Sequence, residues 1–126
     1  MVFKENKTLF DSSNSLFSFE SGKGYWIEMT DDAILTFEVD SAQSHSQDLK
    51  SGWNYLGYPY LGSKNIDDSF SNIGDKYDLI YSFNNRDKVW ELYSPFPSSL
   101  FENSLSEMNT GKGYWIYVYE DVRWII

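Results

Sequence analysis

The sequence predicts a mainly-β chain, an antiparallel β-sandwich or partly open barrel of about seven strands with one or two short helices and an internally repeated β-hairpin. Three observations carry this expectation. Runs of aromatic and β-branched residues alternate with turn residues along most of the chain. The string Gly22-Lys23-Gly24-Tyr25-Trp26-Ile27 returns intact as Gly111-Lys112-Gly113-Tyr114-Trp115-Ile116. At the same constant offset Leu16, Phe19 and Ser21 match Leu105, Met108 and Thr110, and Asp31-Asp32 matches Glu120-Asp121. One structural unit therefore occurs once whole and once as its tail. Within a single domain, 1–126, this gives a partial unit at 1–39 with its own hairpin, a connector at 40–51, and a full unit at 52–126.

Taken in order, Val2-Phe3 predicts a short extended start, and Leu16, Phe17 and Phe19 are expected to tuck a loop onto the core. Residues 24–30 and 33–39 read as a hairpin across Asp31-Asp32. Period two puts Tyr25, Ile27 and Met29 on one face, assigned to the core, and Trp26, Glu28 and Thr30 on the other. Residues 40–51 are polar and aperiodic, so they read as a solvated connector. Residues 53–58 predict a strand stopped by Pro59, which cannot donate to a ladder. Ile66, Phe70 and Ile73 recur at helical spacing behind Asn65, an N-cap residue, and Gly74 follows. Residues 77–83 and 88–93 flank Asn84-Asn85-Arg86-Asp87 and predict a second hairpin. After Pro95 and Pro97, residues 98–108 read as a short helix with Leu100 or Phe101, Leu105 and Met108 as its inner stripe. Residues 114–119 and 122–126 predict the closing hairpin.

Composition excludes several functional classes. Nineteen acidic residues against ten Lys and Arg give a net charge of −9, which disfavours a nucleic-acid backbone as partner. No stretch approaches the ~20 apolar residues of a membrane-spanning helix, so no membrane insertion is expected. Lys4, Glu5, Asn6 and Lys7 interrupt the start, so no signal peptide is read there. Without Cys there is no disulfide or thiolate chemistry. The single His, His45, lies in the expected connector, where a base is poorly held, and no catalytic residue is assigned. Asp67, Asp68, Asp75 and Asp78 lack calcium-loop spacing, and neither a metal nor another cofactor is expected.

Gly52-Trp53-Asn54, Gly57-Tyr58-Pro59, Trp90 and the Gly-Lys-Gly-Tyr-Trp-Ile string together resemble a repeat module of large microbial extracellular and cell-surface proteins. Its units open on a Gly-Trp-Asn strand and close on a Gly-x-Gly-Tyr-Trp hairpin. The resemblance spans 52–126 as a full unit and 16–39 as a partial one. It implies tandem, non-catalytic units and an extracellular or cell-surface setting.

The residue reading of function rests on aromatic rows. In the second copy Trp115, Tyr117 and Tyr119 share a strand face, and Trp26 occupies the matching place in the first. Such a row offers ring faces to the C–H faces of sugars or to a protein surface. These four residues are the candidate ligand-binding set for a carbohydrate or protein partner. The alternatives are a structural or self-associating unit, such as a homodimer or a repeat-array scaffold, and, last in order, a small enzyme resting on Asp and Tyr chemistry.

Overall fold

The computed structural model describes residues 2–4, 15–36, 38, 44–96, 98 and 100–126. Its strands are β1 (Val2–Lys4), β2 (Trp26–Glu28), β3 (Ser46–Leu49), β4 (Gly52–Gly57), β5 (Ser63–Asn65), β6 (Tyr77–Asn84), β7 (Val89–Tyr93), β8 (Glu107–Asn109), β9 (Gly113–Val118) and β10 (Val122–Ile125), with one helix, α1 (Ile66–Phe70). The principal sheet is antiparallel with strand order β4-β9-β6-β7. Antiparallel ladders β3-β10 and β5-β8 and a parallel pair β1-β2 complete the strands. The fold is mainly β, as expected, and does not close into a barrel.

One face of the principal sheet carries the core. Leu56, Tyr114, Ile116, Val118, Ile80 and Tyr93 are buried there with Ile66, Phe70 and Ile73 of the helical segment and with Leu49, Leu105, Met108 and Trp124. Helix α1 starts where the sequence predicts, because the Asn65 side chain accepts the Asp67 N–H at 2.9 Å and so caps the first turn. A 3₁₀ turn, Ser71–Ile73, carries the apolar stripe on to Gly74, whose φ of 57° ends it. Trp124 lies fully buried on Phe70, with ring centroids 5.3 Å apart, and donates its indole N–H to the Ser69 carbonyl at 2.7 Å. The β6-β7 hairpin also forms as predicted, since the Asn84 side chain accepts the Arg86 and Asp87 N–H groups and folds the turn by itself.

Other pairings differ from the sequence expectation. The strands of the closing hairpin both form, but β10 pairs with β3 and not with β9. Both edges of β9 are occupied, by β4 and β6, so it has none left for β10. The stretch expected as a connector therefore supplies β3, whose single apolar residue, Leu49, is 1% exposed. Ser46 and Asp48 point outward in the intervening positions, and one buried residue is too little periodicity to read. Residues 40–43 lie outside the described residues.

The hairpin expected in 24–39 is replaced by β2 pairing in parallel with β1; the described residues 33–36 and 38 carry no strand, and 37 and 39 lie outside the described set. The inward face assigned to that copy does not form: Tyr25 is only partly buried, and Glu28 and Thr30 on the opposite face are exposed. Ile27 and Met29 are exposed while Trp26 is partly buried, because its packing partner is the far side of the principal sheet and not the core. Phe17 and Phe19 are likewise exposed and do not tuck onto the core; Phe19 sets its edge on Tyr25 at 4.9 Å. No helix forms among the described residues of 98–108. There the Ser104 and Leu105 N–H groups both bond the Leu92 carbonyl, so the backbone lies along the edge of β7 and then enters β8.

Candidate functional site

The side of the principal sheet opposite the core is paved with aromatic rings. Strand pairing sets Trp53 opposite Tyr117, Tyr55 opposite Trp115, Tyr81 opposite Trp115 and Phe83 opposite Trp90, and directly paired residues share a face. The rings touch in sequence: Tyr55 stacks on Trp115 at 4.6 Å, Trp53 meets Tyr117 at 5.3 Å and Tyr81 at 5.9 Å, and Phe83 meets Trp90 at 5.2 Å. Offset and edge-on contacts of this kind add roughly 0.5–1.5 kcal/mol each beyond area burial.

The two repeat copies meet on this face, and they begin with the same local geometry. The Lys23 N–H bonds the Glu20 carbonyl and the Lys112 N–H bonds the Asn109 carbonyl, each at 3.2 Å. Gly22 and Gly111 take φ of 78° and 81° within those turns, a conformation glycine adopts without steric cost. The Glu20 N–H donates to the Tyr25 hydroxyl at 2.9 Å, and the Asn109 N–H donates to the Tyr114 hydroxyl at 2.7 Å. Identical sequence thus makes an identical turn and tyrosine lock, although Tyr114 goes to the core and Tyr25 does not.

Both copies then converge on Tyr55. Trp26 lies parallel to its ring at 6.0 Å with an 8° interplanar angle, and Trp115 stacks on it at 26°. A Cβ on Gly24 would overlap the Cδ1–Cε1 edge of that ring, and one on Gly113 would overlap its hydroxyl and Cε2 edge. Each Gly-Lys-Gly therefore contributes a glycine that lets the backbone press against Tyr55, and a tryptophan two residues on that packs with it. Burial raises the Tyr55 hydroxyl pKa above its ordinary value.

The first copy covers only part of the paving. Trp26 also reaches Trp90 at 6.0 Å and Phe83 at 6.3 Å, and its strand adds to the edge of β4 through Gly57 N–H to Gly22 carbonyl (2.9 Å) and Gly24 N–H to Tyr55 carbonyl (3.3 Å). Trp90 stays 53% exposed beside Trp26, and the other end of the face carries no cover from this segment. Trp53 is 49% exposed and Tyr119 51%, with Tyr81 and Tyr117 half-buried between them. Tyr119 sits edge-on to Tyr117 at 6.0 Å; desolvation first, and then the Asp78 carboxylate to which it is hydrogen-bonded, raise its hydroxyl pKa. Charged pairs rim this end, Lys50 with Asp121 at 2.8 Å and Lys76 with Glu120 at 2.9 Å. Asp121 also accepts the Ser51 N–H at 2.9 Å, and the ammonium of Lys50 is the first cause holding its carboxyl below the usual range.

Of the four candidate ligand residues, Trp115 and Tyr117 lie on the paved face and Tyr119 at its open end, while Trp26 is delivered from outside as a cover. Sequence reasoning missed Trp53, Tyr55, Tyr81, Phe83 and Trp90. The signal was present as aromatic residues alternating with small polar ones in Trp53-Asn54-Tyr55 and Tyr81-Ser82-Phe83.

His45 is held firmly at the head of β3. Its backbone exchanges hydrogen bonds with Ile126, its N–H also meets the Tyr60 hydroxyl at 2.7 Å, and its ring stands edge-on to Trp124 at 6.0 Å. The ring presses on Gly22, where a Cβ would overlap Nε2. Among the described residues no three His, Asp or Glu side chains gather as a metal site, and no helix is long and apolar enough to cross a membrane. No family model, curated protein or solved structure matches the chain.

Proposed function

We propose that the chain is a non-catalytic recognition module that binds a neutral glycan on the open end of its paved sheet face. The observation that carries this reading is the exposed pair Trp53 and Tyr119 bracketing half-buried Tyr81 and Tyr117 on a hydrogen-bonded sheet. Ring faces held by strand pairing lose little entropy on binding and accept the C–H faces of successive sugar units. Asp78 and the charged rim supply hydrogen-bond partners for hydroxyl groups, and the net charge of −9 disfavours anionic polysaccharides. An extracellular or cell-surface setting, implied by the repeat-module resemblance, would present such ligands.

Titration with a panel of soluble neutral oligosaccharides, followed by tryptophan fluorescence and amide chemical shifts, tests the reading. A binding oligosaccharide is expected to move resonances of 53, 81, 117 and 119, and Trp53→Ala to weaken it at least ~10-fold, the equivalent of about 1.4 kcal/mol. The half-exposed position of Trp53 makes the variant tolerable to the fold. Silence across the panel, or binding unchanged by Trp53→Ala, rejects the glycan assignment.

A further inference from the structure

The edge of β4 and the covered end of the paved face together form a slot filled by residues 22–26 of the same chain. Its contacts resemble strand addition, in which backbone hydrogen bonds give affinity and side-chain fit gives selectivity. The Gly57 N–H and Tyr55 carbonyl bond Gly22 and Gly24, and Lys23 bridges to Leu56 between them. Selectivity comes from three positions. The His45 ring leaves no room for a Cβ at the first residue, the Tyr55 ring leaves none at the third, and Tyr55, Phe83 and Trp90 receive an indole at the fifth. The slot thus reads Gly-x-Gly-x-Trp. The chain holds that pattern at 22–26 and at 111–115, and the second is locked between β4 and β6 in the middle of the principal sheet.

We infer that this slot is a receptor for the Gly22–Trp26 segment and takes it in trans from a second copy of this chain, giving a reciprocal strand-exchanged pair. The backbone bonds and the ring contacts do not depend on which chain supplies the segment. An exchange in which each copy fills the other's slot closes with two-fold symmetry and leaves neither slot empty. The cis segment, tethered by fewer than ~20 residues, competes at an effective concentration of order millimolar, so exchange grows with protein concentration. This inference uses the covered end of the face and is independent of glycan binding at the open end.

Complementation between two full-length variants tests it. Gly24→Val with Trp26→Ala spoils the segment and leaves the slot intact. Gly57→Val spoils the slot, since its Cβ would stand 2.7 Å from the Lys23 carbonyl oxygen, and leaves the segment intact. Each alone is expected to be monomeric by light scattering, and the mixture to form a one-to-one dimer of twice the mass. A fluorescent peptide of residues 18–30 should bind the segment-spoiled variant at least ~100-fold tighter than it binds the unmodified chain. Folded variants that neither pair nor bind peptide overturn the inference. If either variant fails to fold, the unmodified chain decides: millimolar peptide should displace the cis segment and shift the Trp26 indole resonance, and an unmoved resonance overturns the inference as well.

Discussion

Replacing Trp124 with alanine is expected to cost about 3–5 kcal/mol of stability, the range for emptying a buried aromatic site. That is a large share of the roughly 5–15 kcal/mol available to a small domain. Trp124 is fully buried, stacks on Phe70 and satisfies the Ser69 carbonyl, so the substitution opens a cavity and orphans a buried acceptor together. It also removes one of the ties between β10 and the helical segment beneath the sheet, leaving the Asn72 side chain, which donates to the Arg123 carbonyl and accepts the Ile125 N–H. Urea unfolding of the variant checks this. Trp124→Phe, which keeps a ring but not the N–H, should lose a smaller part, about 1–3 kcal/mol. A loss under ~1 kcal/mol for the alanine variant would show that Trp124 is not packed as described.

Alkaline pH is expected to unfold the protein through its buried tyrosines. Burial first, with the Asp67 carboxylate second, pushes Tyr77 up to about 12. Burial also pushes Tyr114 up to about 12, outweighing the opposing hydrogen bond from Asn109. Both hydroxyls ionise near 10 in the unfolded chain, so the folded state holds protons that the unfolded state has released. Their contribution is therefore complete below pH 10 and falls as pH rises from 10 towards 12. It amounts to about 2 kcal/mol for each of the two. Tyr55 and Tyr58 are raised by burial and act in the same direction. Urea midpoints should be flat up to pH 10 and then drop steeply, with phenolate absorbance rising at the unfolding transition. Phenolate absorbance that develops fully near pH 10 without unfolding would mean that these rings are open to water.

What the sequence made legible was local. The Asn65 cap, the Ile66-Phe70-Ile73 stripe, the Asn84 turn and the β4 run each depend on residues within a few positions of one another, and each forms where expected. Pairing across long separations was not legible. Strand β10 looks like the return strand of β9, yet its partner β3 lies more than seventy residues earlier and announces itself with Leu49 alone. Leu105 and Met108 kept a helix-like spacing while their backbone followed β7 and entered β8. The candidate site divided in the same way. Trp115 and Tyr117 could be placed on a common face from period two along one strand, whereas Trp53, Tyr81 and Trp90 join them only through register between strands. Trp26 was placed with its repeat twin Trp115, and the two do share a ring. They reach it from different elements, one within the sheet and one laid across it.

The repeat thus works as a segment and a sheet built from the same words, meeting at Tyr55. Nuclear Overhauser contacts of the Trp26 indole test this most directly. Cross-peaks from Trp26 to the rings of Tyr55, Phe83 and Trp90, with slowly exchanging amides at Gly24 and Gly57, are the predicted result. A Trp26 indole with solvent-like shifts and no contact to Tyr55, in a protein whose β4 and β9 remain paired, would contradict it.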